Sequence, residues 1–133
     1  MRILDTVVLL AYLDEKDPRN QEASEYVLDI ELKTDIFVPS ATLLELDLEL
    51  KTHGVGGQAR TALHSKLARV VPRARVLPLI PAVLARATEL SKSATWRASY
   101  FDTMIAATGL EFGADSAITT DRKFARLGIE PVF

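Results

Sequence analysis

The stretch Arg2-Ile3-Leu4-Asp5-Thr6-Val7-Val8-Leu9-Leu10-Ala11-Tyr12-Leu13 decides the fold. Arg2 to Asp5 begin a short apolar strand, and residues 6–13 continue as a helix, with Asp5 at the junction. The uninterrupted apolar run 7–13 is far shorter than the about 20 residues needed to cross a bilayer. Arg2 is followed closely by Asp5, Asp14, Glu15 and Asp17, which is not the pattern of a cleavable signal peptide. A soluble, cytoplasmic protein with no membrane partner is the expectation.

Outward from this stretch the same alternation repeats. Pro18 opens a second helix, in which residues 21–32 carry Ala23, Tyr26, Val27 and Ile30 at three- and four-residue spacing. Residues 35–38 read as a buried strand before Pro39, and Ser40 as the N-cap of a helix over 41–52. The cluster Gly54-Val55-Gly56-Gly57 forms a turn, followed by a helix over 58–71 and a strand over 76–79. Residues 82–91 and 103–112 are helical in pattern, and Gly113 stands in a stop position. Residues 117–119 form a fourth strand, 122–127 a short helix closed by Gly128, and 130–133 a fifth strand. Short apolar strands alternating with helices imply an α/β fold with a parallel sheet of four to five strands, covered on both faces. The chain has 133 residues, with no repeat, linker or low-complexity tract, so residues 1–133 are predicted to be one domain.

Composition narrows the chemistry. Cysteine is absent, which excludes a disulfide scaffold, a zinc–thiolate site and a cysteine nucleophile. Residues 1–50 hold 12 acidic and 4 basic side chains, whereas residues 51–133 hold 6 acidic and 12 basic ones. Such a basic half is either the footprint of a polyanion partner or a set of solvated helix faces paired with the acidic half.

In parallel sheets ligands bind at the carboxyl ends of the strands, which directs attention to Asp5, the Ser40 helix and Asp121. Asp5, Asp102 and Asp121 each precede a helical pattern, and a cap explains each of them singly. Glu45 differs, lying inside Leu43-Leu44-Glu45-Leu46-Asp47-Leu48-Glu49-Leu50. Glu45 and Glu49 share one helical face, and Asp47 points roughly 160° away from Glu45. The leucines cover most of the remaining circumference, and carboxylates are rarely buried unless paired or metal-bound. Spacing alone does not choose between Glu45 and Glu49, nor between a buried site and an exposed acidic stripe.

Four segments together resemble the acidic motifs of PIN-domain nucleases: Ile3-Leu4-Asp5-Thr6, Pro39-Ser40-Ala41-Thr42-Leu43-Leu44-Glu45-Leu46, Tyr100-Phe101-Asp102-Thr103-Met104-Ile105-Ala106-Ala107, and Ile118-Thr119-Thr120-Asp121-Arg122-Lys123-Phe124. The resemblance covers essentially the whole chain and is greatest to VapC-like toxin ribonucleases. It implies a three-layer α/β/α sandwich, RNA as substrate, a homodimer and a VapB-like antitoxin partner. It assigns Asp5, Glu45, Asp102 and Asp121 to a catalytic cluster that binds Mg²⁺ or Mn²⁺. Two positions depart from the family pattern. Val7 stands where Asn or Ser is common, leaving polar work there to Thr6, and Thr120 stands where Asn is frequent.

The chemistry fits such a cluster. Two carboxylates about 4 Å apart repel by roughly 4 kcal/mol at an effective dielectric near 20, so converging acids need protons or a cation. Hard oxygen donors select Mg²⁺ or Mn²⁺, and a water activated there attacks the phosphodiester in line. By family analogy the products carry 3′-hydroxyl and 5′-phosphate ends. The hydroxyls of Thr119 and Thr120 are placed to orient Asp121 or a water, or are simply a β-branched strand end. Arg97, Arg122 and Lys123 flank the acids as phosphate contacts or solvated charges, and Trp96 and Tyr100 as base-stacking or loop-packing rings. His53 and His64 lie outside all four motifs, as surface or structural residues. An aspartyl-phosphate phosphatase of the haloacid dehalogenase type needs an acidic group where Val7 stands, and a receiver domain needs paired acids after the first strand. A catalytically degenerate PIN domain, serving as an RNA-binding or scaffold subunit, is the alternative.

Overall fold

The computed structural model describes residues 1–93 and 99–133. Five strands, β1 (Arg2–Leu4), β2 (Ile36–Pro39), β3 (Val76–Leu77), β4 (Ser116–Ile118) and β5 (Glu130–Val132), form one sheet in the order β3-β2-β1-β4-β5. Every pairing is parallel, with Ile3 opposite Phe37 and Ala117, and Leu4 opposite Ile118. Among the described residues six α-helices connect and cover the strands: α1 (Thr6–Leu13), α2 (Asn20–Leu28), α3 (Ser40–Thr52), α4 (Gly57–Val70), α5 (Pro81–Ser93) and α6 (Tyr100–Phe112).

The period-two geometry of a strand divides the core. Leu4, Ile36, Val38 and Ile118 pack into one cluster with α1, α2, α3 and α4. Ile3, Phe37 and Ala117 point the other way, into a cluster with α5 and α6. Ile3 and Leu4 are fully buried, one in each core. This is the continuous apolar reading expected of a parallel strand covered twice.

Several boundaries differ from the sequence reading. Ser40 is not a cap: it is the first residue of α3, and its hydroxyl donates to the Leu77 carbonyl of β3 at 2.9 Å. α6 begins three residues early, at Tyr100, because Ser99 caps it by accepting the Asp102 amide at 3.0 Å. β3 stops before Pro78, which has no N–H for a ladder, and Pro81 opens α5. α2 ends at Leu28, and a turn carries Ile30 into the core. The segment 122–127 is a 3₁₀ helix, closed as expected by Gly128 at φ +90°. Gly113 ends α6 at φ +84°.

The chain runs from β1 through β2 to β3 on one side, then crosses to β4 on the other. The sense of progression therefore reverses between β1 and β4. Such a switch point opens a crevice at the carboxyl ends of the two strands.

Candidate active site

Asp5 follows β1 into that crevice. Its amide donates to the Ile118 carbonyl of β4 at 3.2 Å, so its backbone is fixed to the sheet. One carboxylate oxygen accepts the Thr6 amide at 2.8 Å, as an N-cap does. The other accepts the Thr119 hydroxyl at 2.6 Å. That hydroxyl in turn accepts the Asp121 amide at 3.0 Å, which leaves its own proton for Asp5. Capping and site-building are thus both true of Asp5.

Glu45 arrives on α3, whose start is tied to the end of β1. The Thr42 hydroxyl donates to the Leu4 carbonyl at 2.9 Å, and the Thr6 hydroxyl reaches the Thr42 carbonyl at 3.4 Å. Asp102 lies in the first turn of α6. Because Ser99 takes the capping role, the Asp102 carboxylate is not spent as an N-cap. One oxygen from each of Asp5, Glu45 and Asp102 lies within 4.8 Å of the others. Three carboxylate oxygens this close form the kind of hard donor set that suits a small dication such as Mg²⁺.

Asp121 is not in that group of three. One of its oxygens accepts the Lys123 amide at 2.9 Å and starts the 3₁₀ helix. Its charge nevertheless reaches Asp5. Thr120 is exposed beside it. Val7 is partly buried and packs against the core under α1 to α4.

Electrostatics record the crowding. Burial, first of all, pushes the Asp5 carboxyl up to about 6; the hydrogen bonds from Thr119 and Thr6 oppose this, and the charges of Asp102 and Asp121 add to it. Glu45 is pushed up to about 7, again chiefly by burial, with a Thr6 hydrogen bond opposing and Asp5, Asp102 and Glu49 reinforcing. A cation held there would offset both.

The remaining sequence candidates separate from the site. Asp47 accepts from His64 at 2.8 Å and meets Arg60 at 3.2 Å, tying α3 to α4. Its carboxyl is held below the usual range, His64 contributing most. His53 is exposed and bonds the Glu49 carbonyl at 2.7 Å. Tyr100 is exposed and meets Phe101 edge-on. Trp96 and Arg97 lie outside the described residues. Two contributors escaped the sequence reading. Ser99 carried a signal, the Ser-x-x-acid spacing of a capping box; Thr42, fully buried in a helix, carried none.

A sequence model of the PIN domain matches residues 2–130. No curated protein sequence matches. Among solved structures, FitAcB from Neisseria gonorrhoeae aligns at TM-score 0.77 and 22% identity, covering 100% of this chain and 97% of that one. VapC20 from Mycobacterium tuberculosis, a Sarcin-Ricin loop cleaving toxin, aligns at TM-score 0.73 and 21% identity, covering 97% and 96%. VapBC2 from Rickettsia felis, bound to a DNA fragment from its promoter, aligns at TM-score 0.72 and 16% identity, covering 98% and 96%. These likenesses are of fold, and they agree with a parallel α/β architecture. The match over residues 2–130 places the chain in the PIN domain family.

Proposed function

We propose that this protein is a Mg²⁺- or Mn²⁺-dependent endoribonuclease, the toxin of a VapBC-type pair. The observation that carries the reading is the meeting of Asp5, Glu45 and Asp102, three acids remote in sequence, at the crevice of a PIN fold. These three would hold the dication, and Asp121 would complete the anionic ring from one step outside. A bound dication supplies Lewis-acid stabilisation of charge on the phosphoryl oxygens and a water nucleophile at neutral pH. Thr119 and the Thr6 amide fix both oxygens of Asp5, so that the carboxylate cannot rotate. In-line attack at phosphorus breaks the bond to the 3′ oxygen, which takes a proton and leaves 3′-hydroxyl and 5′-phosphate ends.

The structural neighbours include two antitoxin-bound assemblies and a ribonucleolytic toxin, and these support a VapB-like antitoxin partner for this chain. Leu44 and Leu48 are exposed one turn apart on α3, beside an apolar groove of about 660 Å³ lined by Leu43, Leu67 and Val71. That face suits a second copy in a homodimer. Among the described residues no helix is long and apolar enough to cross a membrane.

The test is RNA cleavage with Mn²⁺, comparing the wild type with Asp5→Asn and Asp102→Asn. Metal-dependent hydrolysis lost in both variants is the expected result; hydrolysis that survives EDTA, or survives both substitutions, overturns the reading. The apolar Val7, where the family commonly carries Asn or Ser, favours one second reading, a degenerate RNA-binding PIN domain. The same assay separates the two, because a degenerate domain binds RNA without cutting it.

A further inference from the structure

Charge differs between the elements that carry the acids. On the α1 and α3 side, Asp14, Asp17 and Glu49 line a groove of about 300 Å³ floored by Leu10, Leu13 and Leu50. Of these acids Asp17 is ion-paired, with Arg19, and Glu49 lies beside His53. On the β4 side, Arg122 and Lys123 follow directly after Asp121, and both are exposed. Six cations of the described residues, Arg2, Arg19, Lys33, Arg60, Arg86 and Lys92, each stand within ion-pair distance of a carboxylate. Arg122 and Lys123 have no such partner among the described residues. Asp121 does not neutralise Lys123 by contact, since its carboxylate accepts the Lys123 backbone amide rather than the ammonium. Arg122 is also held in place, one guanidinium nitrogen donating to the Pro131 carbonyl of β5 at 3.2 Å. That bond uses one of five donors and leaves the others to a ligand. Lys16, Lys51, Lys66, Arg69, Arg73 and Arg75 also stand in no ion pair among the described residues, but none of them follows directly on one of the four acids. Arg69 and Arg73 lie at the amino ends of the strands, on the far edge of the molecule from the acids.

We propose that Arg122 and Lys123 form a phosphate-binding step that receives the RNA backbone beside the acidic pocket, the strand entering over β4 and β5 and not over α1 and α3. This rests on the ribonuclease reading and adds to it the direction of approach. A pocket of converging carboxylates repels a polyanion, and within the roughly 8 Å reach of charge at physiological salt an anchored guanidinium and an ammonium offset that repulsion on one flank only. The acids of the other flank reinforce it.

The experiment is fluorescence anisotropy of a short labelled single-stranded RNA of mixed sequence, titrated across salt concentrations. The protein carries Asp102→Asn, so that the RNA survives. Each phosphate contact to single-stranded nucleic acid contributes about 0.7 to the slope of log K against log salt. The double variant Arg122→Gln/Lys123→Gln is expected to bind more weakly, with a slope smaller by about 1.4. Lys123→Gln alone, which removes no intramolecular bond of its side chain, should lower the slope by about 0.7 and guards against misfolding of the double variant. Arg69→Gln/Arg73→Gln, an equal loss of charge at the far edge, should leave the slope unchanged. Unaltered binding in the Arg122/Lys123 variants, or an equal loss in the far-edge pair, overturns the subsite while leaving the ribonuclease reading intact. Failure of the parent protein to bind RNA at any salt concentration overturns both.

Discussion

Thr119 has one proton to give and gives it to Asp5. Replacing it with Val keeps the shape but leaves the Asp121 amide and an Asp5 oxygen without partners. We expect Thr119→Val to lose about 1–3 kcal/mol of stability in urea unfolding and to impair RNA cleavage, whereas Thr119→Ser retains both. The raised carboxyls give a second expectation. Asp5 titrates near 6 instead of its ordinary 3.8, and Glu45 near 7 instead of 4.5. Between those limits the native state binds more protons than the unfolded chain, so the metal-free protein loses stability as pH rises from about 4 to about 7. Thermal unfolding in EDTA should show that fall, and Mn²⁺ should raise the midpoint more at pH 8 than at pH 5. Asp5, Asp102 and Asp121 stood out because each precedes a helical pattern, but a cap explains each singly, and only the resemblance of four motifs joined them to Glu45. The choice of Glu45 over Glu49 was not legible, since one face carries both; it follows from Glu45 being a turn nearer the start of α3, where the strand ends lie.

Helix α6 shows how an element is seated. A Cβ added at Gly109 would lie 2.7 Å from the Ile3 δ-methyl and 2.8 Å from that of Ile129, both buried. Helix propensity favours Ala over Gly by about 1 kcal/mol, but overpacking a filled core costs about 1–3 kcal/mol. Because two side chains must yield together, Gly109→Ala should be destabilising by about 1–2 kcal/mol in urea unfolding. Equal or greater stability would show that the helix can lift off the sheet. Elements were legible where their punctuation was local: Asp5 before α1, and Gly113 and Gly128 after their helices. They were misread where a distant partner intervened. Ser40 looks like a cap from its neighbours in sequence, yet β3 claims its hydroxyl.

For the whole molecule, the alternation of apolar strands and helices was enough to give a parallel sheet with two covered faces. The order of the strands was not in the periodicity, because pairing across β1 depends on contacts far apart in the chain. The assembled crevice implies linkage: Mn²⁺ at a hundred times its dissociation constant should stabilise the fold by about 2.7 kcal/mol, an increment that Asp102→Asn abolishes. Association is a separate matter, read by light scattering. For the homodimer proposed above, Leu44→Lys/Leu48→Lys should leave a single folded chain, since both side chains are exposed. The pairing of β1 with β4, which sets Thr119 against Asp5 across 114 positions of sequence, bears on how the protein is made. While a ribosome has released only the first hundred or so residues, β1 lacks its second neighbour and Asp5 lacks its clamp. A site assembled this way is incomplete until β4 has emerged, however early β1 and Asp5 are made.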